Sequence, residues 1–96
     1  MARVAVFADP SLRRNLQGSA GTLAYTFLPP LTGRVQLPRA DFAAALVEID
    51  ASGQGLPVKE LRQELGRRPV GSISLRCDPR VLKRSSRLGF DFHLAS

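Results

Sequence analysis

Alternation of apolar and polar side chains near the end of the chain constrains the fold most. The apolar residues Leu88, Phe90, Phe92 and Leu94 take every second position of this segment. A period of two is typical of a strand whose two faces meet different surroundings, because successive side chains of a strand point to opposite faces. The sequence therefore predicts a sheet, and the remaining segments must supply its other strands and its cover.

Four further segments have strand character and are bounded by prolines, glycines or polar residues. They lie at residues 2–8, 22–28, 34–37 and 72–77. The stretch between the first two, residues 11–21, is predicted to be a turn or loop. The basic stretch at residues 80–87 is predicted to be a connection between the last two strands.

Two helices are predicted in the middle of the chain. In residues 40–51, apolar side chains recur at helical spacing, at Phe42, Ala45, Leu46 and Ile49. In the second, Pro57 is suited to the first helical position and Gly66 to the end. The apolar stripe of this second helix is Val58, Leu61 and Leu65. The predicted fold class is α+β, a small single domain over residues 1–96 in which a sheet of four or five strands has two helices packed on one face.

Length and composition narrow the class of protein. A chain of 96 residues is sufficient for one domain. Its single cysteine, Cys77, cannot form an internal disulfide, which favours a reducing compartment. The longest apolar run, residues 42–47, is too short to span a membrane, and no signal-peptide pattern is present. We therefore expect a cytoplasmic protein without membrane contact.

Positive charge is confined to one part of the sequence. Residues 59–87 hold nine of the 14 Lys and Arg residues and three of the 8 acidic residues, so this window carries the whole formal net charge of +6. A localised surplus of this kind predicts a surface that faces the phosphates of DNA or RNA, with an ordinary solvated basic face as the alternative. The contacts are expected to be electrostatic and not to read bases. The residues predicted to make them are Arg67, Arg68, Arg76, Arg80, Lys83, Arg84 and Arg87.

Catalytic chemistry finds little support in the sequence. The single histidine, His93, is predicted on the polar surface of the last strand and Cys77 on an apolar face, so a Cys–His pair is not expected. Asp78, Asp91 and His93 lack the cysteine and histidine count of a zinc site. No glycine-rich phosphate loop with its lysine is present. We predict a non-catalytic protein with no cofactor and no metal.

Residues 56–66 resemble the second helix of a winged helix-turn-helix domain, following the first predicted helix and a glycine-containing turn. In that family a third helix enters the major groove of DNA. The matching stretch here, residues 69–82, contains Pro79 and alternates like a strand. This resemblance also requires residues 40–51 to be helical.

A second resemblance concerns Asp50, Ser52 and Gly55, which match the D-x-S-x-x-G element of PilZ domains. The resemblance implies a receptor for cyclic di-GMP in which this element helps to hold the ligand. The family also uses two arginines separated by three residues. Arg13 and Arg14 lie upstream here, but no arginine stands at the second position. A strand at residues 40–51 would suit this interpretation.

A third interpretation is a protein–protein interaction module. The basic face could dock on an acidic partner protein or on another copy of the chain. An exposed edge along residues 88–94 would allow strand addition. The candidate partners are thus a nucleic acid first, then a cyclic dinucleotide, an acidic protein or a homo-oligomer.

Overall fold

The computed structural model describes residues 3–17, 24–31, 42–50, 56–75 and 78–95. Five strands and three helices lie within these ranges. In chain order they are β1 (Arg3–Phe7), α1 (Pro10–Gln17), β2 (Ala24–Leu28), β3 (Ala44–Glu48), α2 (Val58–Leu65), β4 (Val70–Ser74), α3 (Pro79–Leu88) and β5 (Phe92–Ala95).

The five strands form one parallel sheet in the order β2-β1-β3-β4-β5. Parallel neighbours need a crossover connection, and α1, α2 and α3 lie in the chain between β1 and β2, β3 and β4, and β4 and β5. Strand β2 lies on one side of β1, and β3, β4 and β5 follow in order on the other side. This order is that of doubly wound sheets, whose ligands lie beyond the carboxyl ends of the strands.

Alternate residues of the strands supply two separate apolar clusters. Val4 and Val6 of β1 pack in one cluster with Leu12 of α1. Ala5 and Phe7 belong to the other cluster, with the buried residues of α2 and with Val81 of α3. The structure thus confirms a small domain of mixed helix and sheet. The helices are distributed between the two clusters, whereas the sequence had predicted two helices on one face.

The second predicted helix is confirmed as α2. Its buried residues are Val58, Leu61 and Leu65, the three apolar positions of the predicted stripe. Gly66 follows with a φ of 65°, a left-handed value that glycine adopts without steric cost. Helix α2 packs against the sheet because its apolar stripe lies over the central strands.

Helix α3 replaces the connection predicted at residues 80–87. Asp78 caps it, since the Asp78 side chain accepts a hydrogen bond of 2.9 Å from the Arg80 backbone N–H. Pro79 occupies the first turn, where its missing N–H costs nothing. Gly89 ends the helix in the left-handed conformation, with a φ of 87°.

The helix predicted at residues 40–51 is wrong, because Ala44–Glu48 forms the central strand β3. Both of its faces are covered, since Ala45 and Val47 lie in one apolar cluster and Leu46 lies in the other. A continuous apolar run results, and such a run does not distinguish a buried strand from a helix. The winged-helix interpretation, which requires a helix here, is therefore lost.

Two other predictions at the start of the chain have different outcomes. The loop predicted at residues 11–21 is wrong in its first part, where α1 extends to Gln17. The strands predicted at residues 2–8 and 22–28 are confirmed as β1 and β2. The short strand predicted at residues 34–37 lies outside the described residues.

Candidate functional site

Three cations lie exposed on one side of α3. Arg80, Lys83 and Arg87 are spaced three and four residues apart, so at about 100° per residue they fall within one arc of the helix surface. We call these three residues the basic ridge. Helix α3 contains no acidic residue between Pro79 and Leu88, and an acid precedes it at its cap, Asp78.

Arg80 also pairs with the residue that caps the helix. Arg80 Nη2 lies 3.0 Å from Asp78 Oδ2, and the Arg80 side chain is 79% exposed. This hydrogen bond, with the backbone N–H of Arg80, lowers the pKa of Asp78. Exposed pairs of this kind contribute little free energy, so the Arg80 guanidinium can exchange its partner for a phosphate.

Arg84, another predicted phosphate contact, is engaged inside the molecule. Its Nη1 donates to the Asp50 carbonyl oxygen at 3.3 Å and lies 3.9 Å from Asp50 Oδ1. Only 16% of the Arg84 side chain is exposed. Arg84 therefore ties α3 to the end of β3 and belongs to the structure more than to the exposed ridge.

The remaining predicted phosphate contacts lie on a different connection. Arg67 and Arg68 are exposed in the turn between α2 and β4, at the amino end of β4. Arg76 lies outside the described residues. The structure thus places Arg80, Lys83, Arg84 and Arg87 on one helix and separates Arg67 and Arg68 from them in the chain.

Helix α2 keeps its positive charge on the side of α3. Arg62 of α2 donates to the carbonyl oxygen of Gly89 at the end of α3, and it lies 2.9 Å from Asp91 Oδ1. Arg62 and the Val70 N–H, which also donates to this carboxylate, lower the pKa of Asp91. Glu60 and Glu64 lie about 160° from Arg62 in helical angle, so the α2 acids point away from α3.

A shallow cavity of about 320 Å³ opens at the carboxyl ends of β3 and β4. Its lining residues are Glu48, Ile49, Asp50, Ser74, Leu75, Asp78 and Val81. The Glu48 carboxylate accepts a hydrogen bond of 2.8 Å from the Asp9 N–H, and Arg84 holds Asp50. The position suits a ligand in a doubly wound sheet, although its carboxylates already have protein partners.

A buried polar cluster joins α3, β4 and β5, and the sequence did not predict it. Ser72 Oγ lies 2.6 Å from Ser85 Oγ and 2.6 Å from His93 Nδ1, while Ser74 Oγ lies 3.0 Å from His93 Nε2. His93 is half-buried, not the surface imidazole that was predicted. Ser85 and His93 lie 13 and 21 residues after Ser72, and they meet it only because β5 pairs with β4 beneath α3.

Burial lowers the pKa of His93 below 6.5. The unfolded chain therefore takes up a proton at a higher pH than the folded protein, and folding stability decreases as the pH falls from about 6.5 toward the folded pKa. We expect a lower free energy of unfolding at about pH 5.5 than at about pH 7.5, measured by urea denaturation.

The control for this prediction is His93→Gln, which cannot titrate. The difference between the two pH values is expected to shrink in this variant. The carboxyls of Asp78 and Asp91 do not interfere, because their pKa values lie below 3.8. An equal pH dependence in the variant would show that another group is responsible.

The residues predicted from the PilZ resemblance are only partly described. Arg13 lies on α1, where its Nε donates to the Ala8 carbonyl oxygen at 3.3 Å and its guanidinium sits 5.9 Å from the centre of the Phe27 ring. Arg14 is exposed on the same helix, and Asp50 is exposed just after β3. Ser52 and Gly55 lie outside the described residues.

In the ranges that the structure covers, no group of three or more His, Cys, Asp or Glu side chains is arranged to hold a metal ion. None of the three described helices is long and apolar enough to cross a bilayer.

The geometry defines a small domain with a doubly wound parallel sheet, a basic ridge on α3 and a polar cluster beneath it. No protein-family model, curated protein or solved structure matches the chain.

Proposed function

We propose that the protein is a non-catalytic binding domain that contacts the phosphates of a nucleic acid through the basic ridge of α3. The observation that carries the proposal is the ridge itself, three exposed cations on one helix side without an acid on that helix. Such contacts supply most of the affinity of proteins for nucleic acids in the absence of base reading.

The dimensions of the ridge support a polymer more than a single phosphate. Arg80 and Arg87 are seven residues apart, so they are separated by about 10 Å along the helix axis. Successive phosphates of one DNA strand advance about 3.4 Å along the duplex, so a ridge lying along the duplex spans about three such steps, enough for each of its three cations to contact a separate phosphate. Arg62 and Arg84 are paired with Asp91 and Asp50 and are 34% and 16% exposed, whereas Arg80 keeps 79% of its side chain exposed beside Asp78.

A double-stranded nucleic acid suits this surface better than a single strand. Stacking of single-stranded bases needs exposed aromatic side chains beside the cations. Tyr25 and Phe27 lie on β2, and the exposed Phe92 lies on β5, on the sheet face opposite the α3-facing His93. The ridge itself carries no aromatic residue.

Charge reversal on the ridge tests the proposal. Substituting both Lys83→Glu and Arg87→Glu should weaken binding of a labelled DNA duplex on the order of tenfold or more, because two phosphate contacts become repulsive. Fluorescence anisotropy measures the affinity. Unlabelled cyclic di-GMP is expected not to displace the duplex, because none of the three ridge residues belongs to the PilZ-like element.

The matched control reverses two cations elsewhere. Arg3 and Arg14 are exposed on β1 and α1, and Arg3→Glu with Arg14→Glu changes the net charge by the same amount. This control is expected to retain most of the affinity. Equal losses in the two double variants would mean that net charge, not the ridge, governs binding, and would refute the proposed site.

A further inference from the structure

Strand β5 forms one edge of the sheet. In the sheet order it has β4 on one side and no described strand on the other. The Ala45 and Ile49 N–H groups donate to the carbonyl oxygens of Pro69 and Ile73, so the odd-numbered residues of β4 bond to β3. The even-numbered residues of β4 therefore bond to β5.

This alternation fixes which backbone groups of β5 point outward. Ser72 is the register partner of His93, so Ser72 bonds to the residues on either side, Phe92 and Leu94. The N–H and C=O groups of His93 and Ala95 consequently point away from β4. They form a short row of donors and acceptors at the edge of the sheet.

Two large apolar side chains are exposed on this edge strand. Among the described residues the large hydrophobic side chains that are exposed are Leu75, Leu82, Phe92 and Leu94. Phe92 and Leu94 share one face of β5, and the Phe92 ring lies over Gly71 of β4. Leu82 lies on α3, which packs beside β5 on the other face.

The edge carries no charge. The β5 sequence is Phe-His-Leu-Ala, without the lysine or proline that commonly protects an edge strand from pairing. On α3, Leu82 and Ser86 lie about 160° from Arg84, which reaches back to β3. The side of α3 toward the free edge is therefore uncharged, and the basic ridge points elsewhere.

We propose that β5 pairs antiparallel with β5 of a second copy of this chain, and that the two sheets become continuous. A twofold interface needs a surface that is complementary to itself, and an uncharged strand with apolar side chains on one face meets this condition. A partner selected by charge would require charges at the edge. The proposal does not depend on nucleic-acid binding.

One register of the two β5 strands pairs their outward backbone groups best. With His93 opposite His93 of the second copy, the outward backbone groups of the two histidines bond to each other. Phe92 then lies opposite Leu94 of the second copy, twice, at positions where cross-strand side chains approach closely. Shifting by one residue would place apolar side chains against the opposite face.

Sedimentation velocity of the full chain over a concentration series, without nucleic acid, tests this proposal. We expect a reversible monomer–dimer equilibrium. Leu94→Lys should raise the dimer dissociation constant on the order of tenfold or more, because each dimer gains two lysines opposite apolar rings. Leu75→Lys is the matched control, an equally exposed leucine outside β5 that should leave the equilibrium unchanged.

Ala95→Pro is a second variant that keeps the fold. It removes an outward N–H and no bond to β4, so circular dichroism should be unchanged while dimerisation weakens. A wild-type chain that stays monomeric at every concentration, or a dimer that neither β5 variant weakens, would overturn the proposal.

Charge pairing checks the register. Phe92→Glu and Leu94→Lys should each be largely monomeric alone, and an equimolar mixture should recover the dimer through a glutamate opposite a lysine. Circular dichroism establishes that each variant is folded. Folded variants whose mixture stays monomeric would rule out the proposed register.

Discussion

Leu61→Ala is expected to lower the free energy of unfolding by about 2–5 kcal/mol. Leu61 is fully buried in α2 and belongs to the larger apolar cluster, which also contains Val47 of the central strand β3. Truncation removes apolar contacts and leaves a cavity that neighbouring side chains fill only in part. Because α2 has no side-chain cap at its start, the burial of its apolar stripe is its main support.

Urea denaturation followed by circular dichroism measures this loss. Gln63→Ala is the control on the same helix, since Gln63 is exposed and alanine favours helix. Its effect should be within about 0.5 kcal/mol of zero. A comparable loss in both variants would contradict the assignment of the loss to the buried contacts of Leu61.

Gly71→Ala is expected to destabilise the fold by about 1–3 kcal/mol. A Cβ atom at Gly71 would lie 2.2 Å from Phe92 Cε2 and 2.4 Å from Cζ, closer than packed atoms can approach. Either the ring of Phe92 or strand β5 must move. Crowding is the cause, because the φ of Gly71 is not positive and alanine can adopt its backbone.

A double-mutant cycle with Phe92→Ala separates crowding from other effects. In the Phe92→Ala background the added methyl group meets no ring, so Gly71→Ala should cost much less there. Urea denaturation of the four proteins gives the coupling free energy. Additive effects of the two substitutions would contradict the packing of Phe92 over Gly71.

Segments whose pattern is set by local chemistry were predictable from the sequence. Strands β1 and β2 follow from short apolar runs that end at prolines, and α2 from its apolar stripe between Pro57 and Gly66. These signals depend only on neighbouring residues. They can therefore be recognised without knowledge of the rest of the fold.

Errors arose where position in the sheet determined the outcome. The alanines before Leu46 favour helix by propensity, but β3 lies between β1 and β4 and is buried from both sides. In α3, Pro79 indicated a break in the chain, whereas it starts a helix capped by Asp78. The first error comes from a local propensity that tertiary context overrides. The second comes from a local helix-start signal, a capping aspartate followed by proline, that was interpreted as a break.

The sequence could predict that the candidate site is basic, but not which basic residues are exposed on it. The count of basic residues in the window identified Lys83 and Arg87, but it could not show that Arg84 is engaged with Asp50. The cluster around His93 needs contacts between residues up to 21 apart, which no local pattern contains. Distinguishing exposed cations from paired ones therefore required the three-dimensional structure.

The salt dependence of duplex binding by the wild-type protein tests the central claim most directly. Fluorescence anisotropy over a salt series gives the slope of the logarithm of the association constant against the logarithm of salt concentration. Three ridge cations on three phosphates predict a slope of about −3, which should fall to about −1 in the Lys83→Glu, Arg87→Glu variant, where Arg80 alone remains. A wild-type slope near zero, or no duplex binding at low salt, would contradict the account.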